Sequence, residues 1–315
     1  MRTPATIRSF PGPIELIHAQ AGPGLLRLAR LGILALWIVK LLLDPVWRLA
    51  NLPMELCRPV GLLAYIPPDR YPILWSEASL MLLWIVTLMV LIMGLTNRGF
   101  AVVASVAAVL LTIYSSVIRS YGAAVHTDVV LLLSTYALAL FAWADIAQKV
   151  VVRKPAPTAN ALPLVTIVAI LSLGYCLVGL NRTIVSPQVF TGNSMEVWTI
   201  DASLRAYYFN TEIGWNIPQW PTFVAVLRIG LAAITFFEIT APLCLISSLY
   251  RRIFIPVMLS FHLLSLVLMN IFFFDDMLLY LLLIDWSKKF PALRATCGYI
   301  RVVSQHRRPQ VEGDH

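Results

Sequence analysis

Hydrophobic residues fall in eight long runs separated by polar breaks, at 25–43, 74–95, 100–117, 129–146, 162–180, 223–250, 253–274 and 277–293. A helix of about 20 apolar residues crosses the hydrocarbon core of a bilayer and satisfies its own backbone while doing so. The pattern therefore predicts an all-α integral membrane protein, an eight-span helical bundle. The eighth run is the short one. Its purely apolar stretch ends at Ile284, and length alone leaves a re-entrant or surface helix open.

The breaks are unequal. Those at 96–99, 148–161 and 251–252 are short, whereas 44–73 and 183–222 are long. Connections of that length usually fold locally or act, so they are expected to form an external cap. In the second, Asn193-Ser194 can cap a helix that sets Val197, Asp201, Leu204 and Tyr208 at helical spacing beside Trp198 and Tyr207, an amphipathic helix suited to the membrane surface.

Composition agrees with the pattern: 59% hydrophobic residues, 13% charged residues and a mean hydropathy of +0.79 lie outside the soluble globular mix. Charge supplies the orientation. With a cytoplasmic N-terminus and eight crossings, 16 of the 24 basic residues fall inside, seven fall outside, and Arg228 lies within a span. Omitting the eighth crossing would leave six basic residues near the C-terminus on the wrong side, so eight are kept. The expected organisation is a cytoplasmic segment 1–24, a membrane domain 25–293 and a basic cytoplasmic tail 294–315. The net charge of +8 is accounted for by topogenic and lipid-facing residues, so no nucleic-acid partner is expected. Ala19-Gln20-Ala21 has the form of a signal-peptidase site, but no continuous apolar core precedes it, and the first run reads as an uncleaved anchor. Cys57, Cys176, Cys244 and Cys297 show neither zinc nor redox spacing, and no metal site is expected. Trp47 and Trp75 suit an outer aromatic belt, Trp143 and Trp286 an inner one.

Ionisable residues in or beside hydrocarbon are costly, so a one-sided cluster of them is a candidate site. The outer ends of the runs gather Glu77, Arg119, His126, Asp128, Arg182 and Asp275-Asp276, with Arg228, Glu238, His262 and Asn270 deeper. Counting outward from a turn at Arg251-Arg252 sets Glu238 level with His262, and Arg228 level with Asn270. A carboxylate beside a histidine can handle protons near neutrality; the plainer reading is an interhelical network that fixes packing. Arg119, Asp128, Arg228, Asn270 and Trp198 are the candidate lining of an outward-facing pocket, and His126, Arg182, Glu238 and His262 the candidate catalytic groups.

Several short motifs occur in a telling order: Gly94-Leu95-Thr96-Asn97-Arg98, His126-Thr127, Val178-Gly179-Leu180-Asn181-Arg182, Gly192-Asn193-Ser194-Met195, Glu238 with Arg251, and Ser260-Phe261-His262. Together they resemble the membrane domain of vitamin K-dependent gamma-carboxylases over about residues 25–286, and within that group the stand-alone bacterial horizontally transferred transmembrane (HTTM) domain. The resemblance implies an active-site role for His126, matches His262 to the histidine of a Phe-His step, and makes a quinone-like molecule a possible cofactor. It also puts Arg182 where the carboxylases carry their catalytic lysine. A guanidinium stays charged and cannot serve as that base, so glutamate carboxylation is not expected. The expected function is the binding of a small amphipathic ligand, a quinone or a lipid, in the outward pocket. A membrane enzyme of another chemistry, a small-molecule transporter and an assembly or immunity partner of an envelope protein are the alternatives.

Overall fold

The computed structural model describes residues 20–21, 23–96, 98–121, 127–152, 159–160, 162–205, 213–269 and 273–280. Its long helices are α1 (Pro23–Leu43), α2 (Glu77–Gly94), α3 (Phe100–Arg119), α4 (Thr127–Val152), α5 (Leu162–Leu180), α7 (Pro221–Thr240) and α8 (Ser248–Met269). A twelve-residue helix, α6 (Ser194–Arg205), precedes α7, and a short α9 (Phe274–Leu279) follows α8.

Six of these, α2 to α5, α7 and α8, are long and apolar enough to cross a membrane, which makes this a multi-pass membrane protein. The helix α1 matches them in length at 21 residues but carries Arg27, Arg30 and Lys40. Most of the expected eighth run, and the segments 1–19 and 294–315, lie outside the described residues.

Several hydroxyl side chains fit into these apolar helices by returning their proton to their own backbone. Thr87 donates to the Leu83 carbonyl, Ser105 to Ala101, Thr112 to Ala108, Ser116 to Thr112 and Ser134 to Val130, at 2.6–2.9 Å. Where no water is at hand this satisfies the hydroxyl without a tertiary partner.

Fewer polar contacts tie helix to helix. Trp37 of α1 donates to the Thr135 hydroxyl of α4 at 2.9 Å, and Trp84 of α2 to the Leu41 carbonyl of α1 at 2.7 Å. The Tyr114 hydroxyl of α3 donates to the carbonyl of Asp44, and the amide of Arg58 to the carbonyl of Ser120 at 2.7 Å. These bonds bring the segment after α1 against the end of α3. At the opposite end the Arg30 guanidinium lies 4.4 Å over the Phe100 ring, and Gln20–Ala21 pairs antiparallel with Ala159–Asn160. The long connections after α1 and α5 thus leave the bundle at one end, and the α2–α3 and α4–α5 connections at the other. The first long connection is a chain of 3₁₀ turns, among them Val46–Asn51 and Gly61–Tyr65, packed on α2 and α3.

Three expectations need correction. The run 223–250 is not one helix: α7 ends at Thr240, Pro242 follows, a single turn spans Leu243–Ile246, and α8 begins at Ser248, so Arg251 and Arg252 lie within a helix. Proline removes a donor and resists a continuing helix, which places the reversal there. Trp75 is not a belt residue, because it is buried; Trp47 is half-buried and packs edge-on against Trp84 at 4.6 Å. Finally, α6 does form from Ser194, but its packed face carries Met195 and Thr199 while Val197 and Asp201 are exposed; Tyr207 and Tyr208 lie outside the described residues.

Candidate functional site

The end of the bundle that carries the long connections holds a buried ionic cluster. Lys40, in the last turn of α1, extends its Nζ to within 2.6 Å of Asp128 Oδ1 at the start of α4 and 3.0 Å of Asp275 Oδ2 at the start of α9. All three side chains are at most 7% exposed. A lone ammonium or carboxylate would be strongly unfavourable there, and pairing is what makes their burial tolerable. Three helices far apart in sequence are joined at this point.

Asp276, the next residue on α9, is 6% exposed. Its electrostatic neighbours are Asp275, Tyr175, Lys40 and Asp128. Tyr175 belongs to α5 and leads to a second group. Its hydroxyl lies 2.8 Å from His262 Nε2 on α8, and the Tyr280 hydroxyl lies 3.0 Å from the same nitrogen. One ring nitrogen offers either a single lone pair or a single N–H, so two hydroxyls compete for it. Nδ1 of His262 is buried and has no partner among the described residues. Aromatic rings surround the imidazole, with Phe273 at 4.8 Å, Phe261 at 5.2 Å and Tyr280 at 5.9 Å between centroids.

A third polar group joins α5 to α7. The helix α5 continues past Leu180 through one π-turn, Asn181–Val185, in which the amide of Ser186 bonds the carbonyl of Asn181 at 3.0 Å. The wider turn carries Arg182 toward α7, where its Nη1 donates to Glu238 Oε2 at 2.5 Å. One turn before it, Gly179 lets the two helices touch: a Cβ at this position would lie 2.9 Å from the backbone nitrogen of Ile239. Such close approach is why glycine stands there.

Farther along α7, Arg228 donates to Glu196 Oε1 of α6 at 2.7 Å and to the carbonyl of Gly192. Gly192 adopts φ +66, a left-handed conformation that glycine takes without strain. Trp198 packs with Val189, Met195 and Leu231 beneath α6. Arg228 and Trp198 therefore anchor the α6 segment on α7.

The residues expected from sequence are dispersed differently from the expectation. Glu238 and His262 do not pair. Glu238 binds Arg182, and His262 sits between two tyrosines, because the reversal lies at Ala241–Ser247 and not at Arg251-Arg252. Asp128 is in the buried cluster, while Arg119 is half-buried at the end of α3. His126 and Asn270 lie outside the described residues. The expectation did not single out Lys40, Tyr175 and Tyr280. Lys40 lies inside the first apolar run, and an ammonium within such a run is itself a signal of a buried partner. No signal in the sequence distinguishes Tyr175 from a residue that merely fills space. No protein-family model matches the chain, and no curated protein or solved structure is detectably similar to it.

Proposed function

We propose that the protein is a membrane-embedded binder of a small amphipathic ligand, of the HTTM type that its sequence resembles, with its site opening outward from a bacterial cytoplasmic membrane. Among amphipathic ligands the surroundings of His262 suit a quinone better than an acyl lipid. A flat ring stacks between aromatic side chains, and a carbonyl oxygen needs one polar partner in an apolar wall. The observation that carries this reading is His262 itself, 2% exposed, ringed by Phe261, Phe273, Tyr175 and Tyr280, with Nδ1 without a partner among the described residues.

The engagement of Arg182 with Glu238 supports a function other than glutamyl carboxylation, since a charged guanidinium held by a carboxylate abstracts no proton. Solvent extraction of the detergent-purified protein followed by mass spectrometry tests the proposal. A near-stoichiometric quinone in the wild type, lost from His262→Phe, is the expected result. Bulk phospholipid alone, in equal amounts from both proteins, contradicts it. Incorporation of labelled carbon dioxide into a glutamyl peptide would contradict the second part.

A further inference from the structure

Among the described residues the charges of the buried cluster do not balance. Asp128, Asp275 and Asp276 supply three carboxyl groups, each at most 6% exposed, against the single ammonium of Lys40. Lys40 contacts the first two, at 2.6 and 3.0 Å. Asp276 is left over, and its Oδ1 is buried without a hydrogen-bond partner among the described residues. Among the described residues the groups facing it are Asp275 on its own helix, Lys40 from α1, Asp128 from α4, Tyr175 from α5 and Tyr280 just beyond α9. Of these only Lys40 is cationic, and it already serves two carboxylates.

A third ionised carboxylate in this place would be uncompensated in a region where isolated charge is strongly disfavoured. The Lys40 ammonium occupies the point between Asp128 and Asp275, and no three His, Cys, Asp or Glu side chains among the described residues are arranged to hold a metal ion. A proton needs only a single oxygen.

We propose that Asp276 is a proton-binding site: its carboxyl group holds a proton in the resting protein and is connected through the Tyr175 hydroxyl to His262. The Tyr175 hydroxyl lies 2.8 Å from His262 Nε2 and has Asp276 and Tyr280 as further polar neighbours. When Nε2 carries a lone pair, the Tyr175 proton passes to Nε2 as the Asp276 proton passes to the Tyr175 oxygen. Asp276 ends as a carboxylate, His262 as an imidazolium, and Tyr175 is restored. The proposal stands on the geometry of α1, α4, α5 and α9 and is independent of which ligand, if any, meets His262.

Infrared spectroscopy of the purified full-length protein at pH 7 tests it through the C=O stretch of a protonated carboxyl group. The wild type is expected to show such a band, and Asp276→Asn to lose it while unfolding at an unchanged or higher temperature, since a neutral amide replaces a neutral acid of the same shape. Tyr175→Phe is expected to keep the band at a higher frequency, because the carboxyl group loses a hydrogen bond. Absence of the band from the wild type, or its persistence in Asp276→Asn, overturns the proton site. An unshifted band in Tyr175→Phe overturns the connection to His262. Loss of the wild-type band on adding sodium chloride at constant pH would show that a metal cation, not a proton, supplies the charge, and would also overturn the proposal.

Discussion

Arg182 and Glu238 are held at 2.5 Å but are unequally buried, with side chains 20% and 2% exposed, and their substitutions should differ accordingly. Arg182→Ala leaves a buried carboxylate without its counter-charge and is expected to cost about 3–5 kcal/mol. Glu238→Ala leaves a guanidinium that reaches solvent along its own stem, so it should cost less. The double substitution should cost less than the sum of the singles, by about 0.5–3 kcal/mol. Thermal unfolding of the four proteins in detergent measures this; additive effects would mean the pair contributes no coupling. Arg182 was visible in the sequence as a charge at the end of an apolar run and Glu238 as a charge inside one, yet their pairing was not. Partner choice depends on which helix faces which, and that is decided by packing along the whole bundle. Lys40 shows the same limit from the other side, since a lysine near the end of an apolar run also reads as a topogenic charge.

At the scale of elements, apolar periodicity located the helices closely where a polar break is unambiguous. The runs 100–117 and 162–180 correspond to Phe100–Arg119 and Leu162–Leu180. It failed at 223–250, where the residues around the reversal, Ala241 to Ile246, are as apolar as a span and only Pro242 marks the turn. That one misplacement carried into the site, because levels counted from Arg251-Arg252 set Glu238 opposite His262. The π-turn at Asn181–Val185 had no sequence signal either, although it aims Arg182 at Glu238. The α5–α7 contact depends on Gly179, whose Cβ would meet the backbone of Ile239 at 2.9 Å and the Ile239 Cγ1 at 2.9 Å. Backbone cannot give way as a flexible side chain can. Gly179→Val is therefore expected to push the helices apart and destabilise by about 1–3 kcal/mol, with a weakened Arg182–Glu238 coupling. An unchanged unfolding temperature would show that the helices do not touch there.

For the whole molecule, alternation of the helices fixes which connections share an end, and the distribution of basic residues predicts which end faces the cytoplasm. A cysteine at Gly192 should react with an impermeant maleimide on intact cells, and one at Gly313 only after permeabilisation; the reverse pattern would invert the orientation. The larger claim is that α1, α4 and α9 converge on one buried ionic cluster, Lys40 with Asp128 and Asp275, which organises the end of the bundle where His262 and Asp276 lie. This convergence joins segments 88 and 235 residues apart, as Lys40 to Asp128 and Lys40 to Asp275. The most direct test is the unfolding cycle of Lys40→Met, Asp128→Asn and the double variant in detergent. The structure predicts that Lys40→Met alone destabilises by about 3–5 kcal/mol, because two buried carboxylates lose their counter-charge, and that adding Asp128→Asn restores part of the loss. Strictly additive effects, or a Lys40→Met protein as stable as the wild type, would contradict the cluster and the architecture built around it.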